Sequence, residues 1–158
     1  MGESLVLQGP VGHRGRRRAT RIHVSNRAVR HALNETLSRL PASATNIPTL
    51  ASITAKGTSK TGTLAGLTRR ITYERRAFLG PSSWNEEVVV QRIELYVDIL
   101  LQLSERARVA VVAHELAHAW LNDNVRPEES RRREAESDEL ARKWGFGGEL
   151  DALADETE

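Results

Sequence analysis

The chain has 158 residues, 39% of them hydrophobic and 28% charged, and a formal net charge of +2, values that fit one globular domain and are too apolar for wholesale disorder. Cysteine is absent, which excludes disulfides, thiolate chemistry and Cys-based zinc sites, so any metal must be held by nitrogen and oxygen ligands. The start lacks the apolar core of a signal peptide and no run approaches 18 apolar residues, so a cytoplasmic protein with no membrane contact is expected.

Residues 1–19 carry glycines, a proline and the cluster Arg14, Arg16, Arg17 and Arg18 without apolar periodicity, and read as a flexible basic tail. Arginine outnumbers lysine, which occurs only at 56, 60 and 143; this bias fits a GC-rich genome better than nucleic-acid binding, which asks for basic side chains on one folded face with aromatics or a reading helix. Residues 20–24 alternate like a short strand. Ser25 is a candidate N-cap for a helix over 26–40, where Val29, Ala32, Leu33, Leu37 and Leu40 recur at three and four before Pro41 ends it.

Between Pro41 and Pro81 the pattern turns to β-branched runs separated by glycines. The stretch "KGTSKTG" predicts a hairpin between "TLASITA" and "TLAGLTRRITYERRAFLG", and residues 92–99, "RIELYVDI", form the clearest alternating strand. Three or four strands are implied. Ser104 then caps a helix from Glu105 to about Leu121, "NDNVRP" breaks it, and a last helix runs from Pro127 to about Trp144, with Gly145 as its stop. Helix, strands, helix, helix is an α+β order, with helices on one side of a small mixed or antiparallel sheet. Trp120 and Trp144 fall on inward faces and read as packing between the last two helices.

In "RVAVVAHELAHAWL", every residue from Val109 to Leu121 is apolar except His114, Glu115 and His118. Burying ionisable groups costs several kcal/mol each, about, unless something pairs with them. Positions four apart on a helix project side by side, so His114 and His118 can share one metal ion. Glu115 points about 100° away, off the ligand set but within reach of a water on the metal, the position of a general base. From the chain's own composition the chance of a His-Glu-x-x-His match is roughly 0.02, so coincidence is a weak rival.

The third ligand must come from elsewhere, and no histidine follows His118. On a wheel of the last helix the buried face includes Ser137, Ala141 and Trp144, with Glu134 and Asp138 at its edge; Glu136 and Glu139 turn to water. Glu134 is the expected ligand, with Glu136 its competitor. Asp138 is placed to accept the free N–H of a ligand histidine and fix its tautomer. Tyr73, Tyr96 and His23 are weaker candidates for steadying an oxyanion, and either "TRRITY" or "RIELYVDI" is a candidate edge strand for pairing with an extended substrate.

"HELAHAW", followed sixteen residues after its second histidine by "EAESD", resembles the gluzincin zinc metallopeptidases, and the short chain and element order resemble the minimal members called minigluzincins. The resemblance covers residues 92–146, and Ser137 stands where the family usually has alanine. It implies a zincin-like domain over residues 20–148, with an N-terminal helix, a small sheet, an active-site helix and a glutamate-bearing C-terminal helix. It also implies zinc on His114, His118 and Glu134, Glu115 as general base, Asp138 behind a ligand histidine, and hydrolysis of a peptide or protein substrate. Two other readings compete: a latent member whose acidic tail, residues 149–158, blocks the cleft, and a nucleic-acid module with a structural zinc.

Overall fold

The computed structural model describes residues 8–11, 17–59, 62–125 and 130–158. The expected start of the last helix at Pro127, the turn residues Lys60 and Thr61, and Arg14 and Arg16 lie outside the described residues. The first elements are the short strands β1 (Gln8–Val11), β2 (Arg17–Ala19) and β3 (Arg21–His23). β1 and β2 pair antiparallel, so part of the stretch expected as a flexible tail is a two-stranded ribbon; composition alone does not report pairing between two short runs.

Helix α1 (Arg27–Arg39) buries Val29, Ala32, Leu33 and Thr36, the expected three-and-four stripe. Its cap is Asn26 rather than Ser25: the Asn26 side chain accepts from the Val29 N–H at 3.1 Å. Strand β4 (Leu50–Lys56) follows, then β5 (Gly66–Leu79) and β6 (Ser82–Tyr96). The sheet order is β3-β4-β6-β5, with β3, β4 and β6 parallel and β5 antiparallel to β6.

The hairpin expected at 56–62 is therefore elsewhere. β4 and β5 are not neighbours, because β6 lies between them, and the tight turn is Gly80–Pro81, with a left-handed φ of 56° at Gly80. A positive φ followed by proline's fixed negative φ is the sign pattern of a II′ hairpin turn, which matches strand twist. β4 spans only residues 91–96 of β6, so the rest of β5 and β6 extends as a two-stranded ribbon with Phe78 and Leu79 exposed at its tip. The strand read at 92–99 ends at Tyr96, and Val97–Leu100 is a short helical turn, α2.

Helix α3 (Glu105–Asn124) carries the paired histidines and is capped as expected by Ser104, whose side chain accepts from the Ala107 N–H at 3.2 Å. It is buried on almost every side, because α1, the sheet and the two C-terminal helices all pack on it. Five of its alanines are fully covered, which lets neighbouring backbones approach closely. Next is α4 (Ser130–Ala141), then a π-helical turn Arg142–Phe146 with Gly145 at φ 99°.

The chain does not end there as a tail. Residues 147–157 form α5 (Gly147–Thr157), which lies against α3. Phe146 and Leu150 are buried with Leu153 partly so, and Arg39 reaches across to Glu149 at 2.5 Å. That interaction and a hydrogen bond from the Ser104 N–H to Glu156 Oε2 at 2.9 Å occupy acids that looked like solvated tail charges.

Candidate metal centre

His114 and His118, one turn apart on α3, place their ring centroids 4.6 Å apart and nearly perpendicular. α4 brings a carboxylate to both: Glu134 Oε2 lies 3.1 Å from His114 Nε2, and Glu134 Oε1 lies 2.9 Å from His118 Nε2. Donors bound about 2.0–2.1 Å from a tetrahedral ion stand about 3.3 Å apart, so two imidazole nitrogens and one carboxylate at these separations suit a metal ion of zinc's size. All three donor atoms fall within 4.8 Å of one another, and this group can hold a metal ion. The Glu134 side chain is 68% exposed, yet its carboxylate ends on the two rings rather than in bulk water.

The structure also brings Asp138 and Glu115 beside this group. Asp138, one turn beyond Glu134, has a carboxylate oxygen 2.7 Å from His114 Nδ1, within hydrogen-bonding distance. That contact orients the ring so that Nε2 is turned towards Glu134 and His118. Glu136, the competing ligand, is not in the group and instead lies 3.5 Å from Arg133. The burial expected on α4 is present: Ser137 and Ala141 are fully covered.

Glu115 is 7% exposed and lies against Gly66 and Thr68 at the start of β5. Burial pushes its carboxyl up, with Glu134 adding to the effect, while a hydrogen bond from Thr68 and the neighbouring His114 pull it down. For His118, burial and the nearby His114 depress the pKa, which favours the neutral ring a metal requires. Thr68 and Gly66 were not anticipated. The Thr68 hydroxyl donates to Glu115 Oε2 at 2.6 Å, linking residues 47 apart in sequence.

A Cβ at Gly66 would stand 2.9 Å from Glu115 Cγ and 3.1 Å from both Glu115 Oε1 and Val111 Cγ1. Only glycine lets the strand pass this close to the carboxylate. A glycine inside a strand pattern is the signal that marks such an approach. No comparable sequence signal points to Thr68.

No family profile, curated protein or solved structure matches this chain. The chemistry of the cleft therefore rests on its own residues. The cleft has a volume of about 420 Å³, with His114, Glu115, His118 and Glu134 along its floor and Leu153 and Thr157 of α5 on one wall. No carboxylate of α5 belongs to the metal group among the described residues; Glu149, Asp151 and Glu156 engage Arg39, Arg142 and the Ser104 N–H. A larger depression of about 810 Å³ lies between α1 and the start of α3. Its Arg30 and Arg108 donate to the carbonyls of Val24 and Leu100, and no metal group forms there among the described residues.

The three oxyanion candidates are not brought to the metal group. Tyr96 donates to Glu94 at 2.7 Å on the sheet face away from α3. Tyr73 falls on that same face by strand alternation from Thr68, and His23 is on β3, at the opposite edge of the sheet from β5. Trp120 and Trp144 pack partly buried against the core, as expected, and Trp120 also donates to the Ser43 carbonyl at 3.1 Å. Among the described residues, no helix is long and apolar enough to cross a membrane.

Proposed function

We propose that this chain is a zinc-dependent metallopeptidase of gluzincin type that cleaves peptide bonds within extended substrates. The single observation that carries this reading is the convergence of His114, His118 and Glu134 beside a buried Glu115. His114, His118 and Glu134 would hold the ion, a nitrogen and oxygen set suited to zinc. When bound in such a set, zinc supplies a Lewis acid for the substrate carbonyl and lowers the pKa of a water to about 7.

The remaining work falls to the protein's own groups. Glu115 takes up a proton at its carboxylate during attack and returns it to the departing amine. Its pKa, raised above the ordinary carboxylate value mainly by burial, makes it a stronger base than an exposed carboxylate. Thr68 holds Glu115 Oε2, which leaves Oε1 as the oxygen available for proton exchange. Asp138 keeps the His114 ring oriented. The substrate backbone is aligned by an edge strand, and of the two candidates only β5 is at an edge, since β6 is enclosed by β4 and β5.

The test combines metal analysis with catalysis. Wild-type protein is expected to carry about one zinc per chain and to hydrolyse an unfolded casein-like substrate. Glu134→Ala should lose the metal while Glu136→Ala keeps it. Glu115→Gln should keep the metal and lose hydrolysis by at least about 100-fold. Stoichiometric zinc in a wild-type protein that cleaves no peptide bond would overturn the proposal.

A further inference from the structure

The outer edge of β5 is both open and chemically biased. The Tyr96 N–H donates to the Ala65 carbonyl at 2.9 Å. An antiparallel ladder alternates between residues facing the partner strand and residues facing away. Counting along the unbroken pairing of β5 with β6, the backbone N–H and C=O groups of Gly66, Thr68, Arg70 and Thr72 point away from β6. The side chains of these same residues lie on the α3 face of the sheet, as the contacts of Gly66 and Thr68 with Glu115 require. Arg70 is therefore the next side chain beyond Thr68 on the cleft side, about 6.8 Å further along the strand.

β5 carries four arginines, and three of them are engaged. Arg69 pairs with Glu94 at 3.2 Å, Arg75 pairs with Glu86, and Arg76 donates to Ser83 and lies over the Phe78 ring at 5.9 Å. Arg70 is exposed and has neither an ion pair nor a side-chain hydrogen bond among the described residues.

We propose that the β5 edge receives an extended peptide segment bearing an acidic side chain, and that Arg70 selects it. The peptide adds as a strand through the outward backbone groups, and its carboxylate meets the free guanidinium two residues from the position level with Thr68. This deepens the peptidase reading by naming its substrate class; it rests on that reading for the fate of the bound segment and not for the docking itself.

Two labelled octapeptides of valine and threonine serve as probes, one with two central glutamates and one with two central lysines. Fluorescence anisotropy is read on the full-length protein, chelator-treated and zinc-loaded, at low salt. The glutamate peptide is expected to bind about fivefold more tightly than the lysine peptide, Arg70→Gln should level the two, and Arg70→Glu should reverse the order. Equal affinities in wild type, or a preference untouched by Arg70→Glu, would overturn the assignment. Cleavage of the glutamate peptide in the zinc-loaded protein at a fixed distance from its acids supports the inference and the peptidase reading together. Acid-selective binding with no cleavage leaves the docking assignment standing and removes the peptidase reading.

Discussion

Asp138 touches only the outer nitrogen of His114, at 2.7 Å, yet it decides which nitrogen of that ring is left to face Glu134 and His118. Its removal takes away orientation rather than a ligand. Asp138→Ala is expected to weaken zinc binding by about 10–100-fold without changing the stoichiometry at saturation, as measured by competition with a chromogenic chelator; an unchanged affinity would show that the ring is held by packing alone. The histidine pair and Glu115 were legible because a helix converts sequence spacing directly into spatial neighbourhood. Glu134 and Asp138 were legible for the same reason on a second helix, once burial of Ser137 and Ala141 set its inward face. Thr68 was not. Its contact with Glu115 joins a strand to a helix, and no local period encodes which threonine on a strand meets a side chain 47 residues on.

Among the elements, the two long helices lie within a few residues of their expected bounds, since caps at Asn26 and Ser104 and a buried stripe are local features. The strands were located but mispaired: alternation marks a strand without naming its neighbour, and a parallel β4–β6 pair separates β4 from β5. The C-terminal helix was hidden for a different reason. Phe146, Leu150 and Leu153 fall at helical spacing, but the acids around them gave the segment the look of a solvated tail. In the folded chain Phe146 is fully buried, with Arg39 4.5 Å above its ring. Phe146→Ala is expected to cost about 3–5 kcal/mol, read as a lower midpoint in urea unfolding. A loss under about 1 kcal/mol would mean that the turn leading into α5 contributes little to the core.

For the whole molecule, α3 is the shared partner of α1, the sheet and both C-terminal helices, while the metal group spans α3 and α4. An ion bound there cross-links two segments separated by the residues 126–129. Zinc that binds only the folded chain at about 100 times its Kd adds about 2.7 kcal/mol, which for a domain of this size raises Tm by about 5–11 °C. Calorimetry should show that rise in wild type and none in Glu134→Ala; equal shifts in both would place the ion elsewhere. Finally, Glu115, the acid proposed to move the proton, is anchored by a strand that does not carry it. Were β5 to slip one position along β6, every side chain on it would change sides. Leu67 would then present an isobutyl group where the carboxylate now finds a hydroxyl. The bend at Gly80–Pro81, at the far end of the ribbon, thus acts as the phase-setter for the contact between Thr68 and Glu115 at the near end.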